Sequence, residues 1–215
     1  MDSNQTKERK DTFKQIIEER RSIRNYDVNA KISREEIEEM LELATKAPSS
    51  TNLQPWRFIV IESPEAKEKL LPLAAFNSKQ VTTSAAVIAV FGDLDHVEYL
   101  NEIYSKAVEI GVMPQEVKDR MVEQISAGYA TLTREQKKEV VLIDSGLVSM
   151  NLMLVAKAYG YDTNPIGGYD RENLGEVFGL EKERYEPIML ISIGKAIEEG
   201  YPSYRLPVST VAKFH

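Results

Sequence analysis

The stretch from Val140 to Tyr159, VVLIDSGLVSMNLMLVAKAY, constrains the fold more than any other part of the chain. Its helix would be apolar on nearly every side, and such a helix belongs inside a protein. Gly160 follows directly and suits the left-handed residue that closes a helix. A buried central helix needs cover, and three apolar segments read as strands that could supply it: 57–63, 85–91 and 187–194. The other elements read as helices. Residues 12–21 place Phe13, Ile16 and Ile17 on one face, with Asp11 as cap. A helix opening at Ser33 has Glu36 three residues on, the pattern of a capping box, and repeats apolar residues at Ile37, Met40, Leu41 and Ala44. Short helices are expected from Pro64 to about Leu73 and near 171–180. Between Val97 and Lys138 the pattern is helical but charged, broken by Gly111, Pro114 and Gly128, and reads as an excursion of two or three helices. Few strands around a buried helix point to an α+β fold in one domain spanning 1–215. The tail, residues 200–215, has little core pattern and reads as wrapping the surface or packing on another subunit.

Several classes of function are excluded early. The chain has no cysteine, so disulfides, thiolate metal sites and thiol nucleophiles are absent. A net charge of −7 opposes binding to a nucleic-acid backbone. The opening MDSNQTKERKDTFKQ lacks the apolar centre of a secretory signal, and no run approaches the ~18 consecutive apolar residues of a membrane span. A cytoplasmic protein with neither a nucleic-acid nor a membrane partner is expected. Neither a dinucleotide-binding GxGxxG nor a phosphate-binding GxxxxGK[ST] occurs, and no GxSxG. The histidines are His96 and His215, and His96 within DLDHVE reads as solvated surface rather than a metal ligand. A chain this poor in histidine and cysteine suits chemistry carried by a cofactor.

Four stretches carry more chemistry than local structure requires. In ERRSIRNYD, the guanidinium groups of Arg20, Arg21 and Arg24 and the Ser22 hydroxyl match phosphate oxygens, although cations also suit a helix C-terminus. In APSSTNLQPWR, Pro48, Ser49, Ser50, Asn52 and Gln54 could surround a polar ligand or simply build a turn. Asn77 and Gln80 stand just before a buried strand, in what reads as a surface loop. NPIGGYD, inside a turn-rich loop over 161–170, has paired glycines that permit close backbone approach to a ligand or a tight turn.

Taken in order, RRSIR, APSSTNLQPWRF and NPIGGYD resemble the FMN-dependent nitroreductase family, and the likeness runs from about Phe13 to the C-terminus. The resemblance implies a central, mostly antiparallel sheet flanked by helices. It also implies an intertwined homodimer with FMN at the interface, the long buried helix at the contact and the tail reaching over the partner. Carried over by position, Arg20, Arg21 and Ser22 bind the phosphate and ribityl chain, and Arg24 reaches the pyrimidine edge. Pro48, Ser49, Ser50 and Asn52 line the flavin from the partner subunit, and Asn77 and Gln80 contact the pyrimidine edge. Ile166, Gly167 and Gly168 lie against the isoalloxazine, with the Gly167 backbone N–H supporting N5, and Arg205 is a late phosphate ligand. No side chain is implied as catalytic, since flavin N5 carries the chemistry. The implied activity is hydride transfer from NAD(P)H, a transient donor, to nitroaromatic, quinone or similar small-molecule acceptors in a ping-pong cycle.

This chain departs from some relatives by carrying Gly167 where they have an acidic residue, and Gln80 or Arg24 where they have lysine. These departures bear on the electron acceptor. Reductive dehalogenation, enone reduction or flavin breakdown are alternatives on the same scaffold. A non-catalytic binding protein for a phosphorylated small molecule is an alternative from another class.

Overall fold

Helix α7 (Arg134–Ala158) is the element around which the fold is built. The computed structural model describes the backbone of residues 3–215 and side chains from Arg9 onward; Met1 and Asp2, part of the expected domain and of the segment read for a leader, lie outside the described residues. Helix α7 starts earlier than Val140 because Thr133 and Gln136 form a complete capping box, each side chain accepting the other's backbone N–H. It ends where Gly160 turns left-handed, at φ +75°.

Four strands form one antiparallel sheet among the described residues: β1 (Trp56–Ile61), β2 (Ala86–Asp93), β3 (Asp162–Ile166) and β4 (Tyr185–Gly194), in the order β1-β2-β4-β3. Strand β2 is buried along its whole length, so both faces of the sheet are covered. Alternation sends Ala86, Ile88 and Val90 to one face. There they meet Val148, Leu152 and Ala156 of α7 and Ile37, Met40 and Ala44 of α2 (Arg34–Ala44). Val87, Ala89 and Phe91 point the other way. They meet Leu70 of α3 (Pro64–Leu70), Val81 of α4 (Ser78–Thr83) and Leu174 of α8 (Arg171–Val177). Helices α5 (Leu100–Glu109) and α6 (Gln115–Ala130) build a smaller core of their own, where Leu100, Tyr104, Ile125 and Tyr129 enclose Leu53.

Several sequence expectations are corrected. Helix α1 (Ser3–Glu19) runs through Asp11, which is therefore interior rather than a cap. The Ser33 hydroxyl accepts the Glu36 N–H at 3.1 Å, but the Glu36 carboxylate accepts the Tyr161 hydroxyl instead of closing the box. The excursion ends by Thr131, and residues 134–138 belong to α7. The expected loop at 161–170 contains β3, and Asn77 and Gln80 sit on a 3-10 turn (Leu71–Asn77) and on α4, with Gln80 buried. Helix α7 is not buried all round, since Leu142, Ile143, Leu147 and Met150 are exposed. It is also long and apolar enough to cross a bilayer, with a mean hydropathy of 1.6 over 18 residues. Asp144, Ser145, Ser149 and Asn151 break its apolar runs, so a count of consecutive apolar residues passes over it. Here it packs between the sheet and α2. The tail is exposed apart from half-buried positions and holds only α9 (Val208–Val211).

Candidate functional site

Helix α1 stops at Glu19, and of the arginines that follow, Arg21 also acts as a helix-end cation, because its guanidinium donates to the Glu18 carbonyl of the last turn. They line a cleft of about 610 Å³ with Ser22 between them: Arg20, Arg21 and Arg24 on one side, Arg205 from the tail, and Met150 of α7 as part of the floor. Among the described residues none of these four arginines forms an ion pair. Arg21 donates to the backbone carbonyls of Glu18 and Arg20, which aims its guanidinium along the cleft wall. Arg24 lies 5.8 Å over the Tyr201 ring, and its N–H donates to Glu198. Gly200, at φ +71°, turns the tail back toward Arg21 and Ile23. Glu18 also lines the cleft, with its carboxylate 3.7 Å from Lys14, so four arginines without ion-pair partners outweigh it and suit an anion with several oxygens.

The cleft is tied to the sheet through an edge strand. Ser22 makes a parallel bridge with Thr163, and the Ile23 N–H donates to the Thr163 carbonyl at 3.0 Å. From Thr163, β3 runs to Ile166 and the Gly167–Gly168 pair, a span of about 13 Å at the usual rise of a strand. There the Asn77 amide donates to the Gly168 carbonyl at 2.8 Å, and Gln80 donates to the Asn77 side-chain oxygen at 3.0 Å. Ile166 is buried, whereas a Cβ built on Gly167 would meet nothing within 4 Å. The edge therefore offers an anion site at one end and an open backbone surface with amide groups at the other.

Pro48, Ser49, Ser50 and Asn52 do not line the arginine cleft. They belong to a separate loop running from α2 to β1. The Ser49 hydroxyl accepts the Gln54 N–H at 3.0 Å, and the Ser50 N–H donates to Asp144 of α7 at 3.0 Å. Gln54 turns its amide onto the Asn52 carbonyl within this loop.

His96 is fully buried, contrary to the expectation of solvated surface. Its Nδ1 donates to the Asp93 carbonyl at 2.6 Å, which leaves Nε2 to accept the Tyr129 hydroxyl at 3.1 Å. Burial lowers its pKa, and the nearby Asp93 only partly opposes this, so the ring stays neutral. The Asp93 carboxylate, also sealed from solvent, accepts from Arg57 and Arg184. Burial pushes the Asp144 carboxyl upward, against the lowering effect of the Ser50 N–H.

Sequence reasoning passed over Asp144, although a lone carboxylate within an apolar helix was a visible signal. It also passed over Phe76, which is fully exposed beside Asn77, where a loose phenyl ring has no structural reason to be.

Comparisons with known proteins agree with this geometry. The model of the nitroreductase family matches residues 17–195. YdgI of Bacillus subtilis, provisionally named an NAD(P)H nitroreductase, is 64% identical over 202 residues, covering 94% of this chain and 97% of its own. The CLA biosynthesis enone reductase of Lactiplantibacillus plantarum is 36% identical over 93% of this chain and 92% of its own. A provisionally assigned nitroreductase of Exiguobacterium sibiricum, solved in complex with FMN, superposes with a TM-score of 0.93 at 59% identity, covering 94% and 97% of the two chains. The unpaired arginines, the glycine-ended edge strand and these likenesses lead to one conclusion: the chain belongs to the nitroreductase family.

Proposed function

We propose that the protein is an FMN-dependent oxidoreductase that takes reducing equivalents from NAD(P)H. It passes them to nitroaromatics, quinones or similar small acceptors, the two substrates using one site in turn in a ping-pong cycle. The observation that carries this reading is the cluster of Arg20, Arg21, Arg24 and Arg205, four guanidinium groups without ion-pair partners among the described residues, joined by β3 to an open glycine pair. An FMN phosphate carries about two negative charges, and burying it requires such groups. When bound, FMN supplies the hydride chemistry that the side chains of this protein lack.

The chain's own residues then divide the work. Arg20, Arg21, Ser22 and Arg205 hold the phosphate and ribityl oxygens, and Arg24 sets positive charge near the pyrimidine edge. Asn77 and Gln80, already hydrogen bonded to each other and to Gly168, hold that edge in a fixed plane. Ile166, Gly167 and Gly168 present backbone to the ring, and the Gly167 N–H is a donor available there. The loop carrying Pro48, Ser49, Ser50 and Asn52 closes the site of a second copy. The exposed apolar face of α7 and the exposed tail are surfaces suited to that homodimer. We place the protein in the cytoplasm.

The test is the visible absorption spectrum of the purified protein before and after NADPH. A flavin spectrum bleached by NADPH and restored by an acceptor is expected; a protein colourless after incubation with FMN would sink the proposal. Arg20→Ala and Arg205→Ala should each weaken FMN binding by about 1.5–3 kcal/mol, roughly ten- to a hundredfold, for a lost charged hydrogen bond. Unchanged flavin affinity in both would move the phosphate elsewhere. The likeness to an enone reductase favours one second reading, reduction of an activated carbon–carbon double bond. Anaerobic turnover of enones beside nitroaromatics and quinones separates the two. Flavin bound but never reduced by NAD(P)H would rule out direct nicotinamide-linked reduction.

A further inference from the structure

Thr51, Asn52 and Gln54 have φ values of 49°, 57° and 49°, and among the described residues they are the only non-glycine residues in the left-handed region. Few side chains adopt that conformation, and a β-branched one such as Thr51 fits it worst. No glycine relieves the stretch. A backbone in this state persists only where its surroundings over-determine it, and such strain gathers at functional sites.

Three contacts surround the loop, each from a different helix or core. The Ser50 N–H donates to the carboxylate of Asp144, which is 4% exposed. The Tyr104 hydroxyl of α5 donates to the Thr51 carbonyl at 3.1 Å. Leu53, 1% exposed, is enclosed by the core that α5 and α6 build, so the loop is pinned before Thr51 and again between Asn52 and Gln54. Both polar groups are unusual where they stand. Asp144 interrupts an apolar helix, and the buried Tyr104 directs its hydroxyl onto a loop carbonyl.

We propose that Tyr104 and Asp144 are positioning residues, which hold residues 50–54 in their left-handed course and so set the loop that faces the flavin of a second copy. The proposal rests on the reading of that loop as flavin-facing. It gives the α5–α6 excursion, together with α7, the role of a clamp that pre-organises a binding loop.

The experiment uses the full chain and four variants: Tyr104→Phe, Asp144→Ala, Thr51→Asn, and Tyr104→Phe combined with Thr51→Asn. Asparagine tolerates the left-handed region better than threonine and so lowers the strain that the clamp opposes. FMN affinity is read by fluorescence quenching, and amide exchange at Ser50 by NMR. Tyr104→Phe and Asp144→Ala should each weaken FMN binding about tenfold by reducing the population of the competent loop. Thr51→Asn should restore most of the loss in the double variant, which a merely structural defect would not allow. If wild type binds FMN and both single clamp variants bind it within twofold of wild type, the proposal is overturned. A loss that Thr51→Asn leaves unrepaired overturns it equally. If wild type binds no FMN, the flavin reading fails instead, and the clamp is judged by Ser50 exchange alone. Faster exchange in Tyr104→Phe, whose hydroxyl bonds Thr51 and not the Ser50 N–H, then supports it and unchanged exchange ends it.

Discussion

At His96 the protein shields a titratable ring from water and fixes its tautomer through a backbone carbonyl and a phenol. Burial lowers the native pKa below the ordinary value of about 6.5, which the unfolded chain retains. As pH falls below that value, the unfolded state takes up a proton that the folded state refuses. Stability is therefore lost on acidification, at up to about 1.4 kcal/mol per pH unit, until the native pKa is passed. Asp144 works in the opposite sense. Its native pKa is raised, so its contribution is present below the ordinary carboxylate value and lost as pH rises through the native one. Urea unfolding of wild type and His96→Asn between pH 7.5 and 5 checks the histidine. The stability gap between them should close as pH falls, and a gap independent of pH would mean that the ring is not held neutral. The burial of His96 was illegible in DLDHVE because its covering partner, Tyr129, comes from another helix. The left-handed course at Thr51 was equally hidden, since local preference argues against it and its contacts with Tyr104 and Asp144 come from residues distant in sequence.

Among elements, the crossing of α7 over the sheet depends on Gly92. A Cβ there would lie 2.6 Å from Val141 Cγ2 and 2.7 Å from Val141 Cβ, in a fully buried contact. Gly92→Ala should cost about 1–3 kcal/mol of stability by overpacking, measured as a lower urea midpoint. Adding Val141→Ala removes the Cγ2 contact but keeps the Cβ contact, so it should recover only part of that loss; no recovery would locate the strain in the Cβ contact or elsewhere. The helices at this crossing were largely legible, α2 from its apolar periodicity and α7 from being apolar on nearly every side. The start of α7 was also present in the sequence, in the spacing of Thr133 and Gln136. Strand β3 was not legible. Its residues, DTNPI, read as a turn, and Pro165 argues against a strand with neighbours on both sides. Strand β3 is the sheet's edge: β4 covers one side, the other carries only the isolated Ser22–Thr163 bridge, and Pro165 is tolerated where no ladder bond is required of it.

For the whole molecule, the arginine cleft joins Arg20 to Arg205 across nearly the full length of the chain, and no composition or periodicity argument brings those positions together. Family likeness assigned both to one phosphate, and the fold sets both on one cleft. The loop at 48–54 lies apart from that cleft, held to α7 through Asp144. In a homodimer whose sites each combine the cleft of one copy with the loop of the other, this separation has a genetic consequence. A copy carrying Arg20→Ala and Arg205→Ala, and a copy carrying Ser50→Ala and Asn52→Ala, should each bind little FMN as a pure dimer. Co-expressed with different tags and purified as the mixed pair, they should concentrate both lesions in one site and leave the other whole. Flavin content should then rise to about half that of wild type, and failure to rise would assign cleft and loop to the same copy. Two defective alleles would complement each other, and inheritance rather than crystallography would report which surfaces meet.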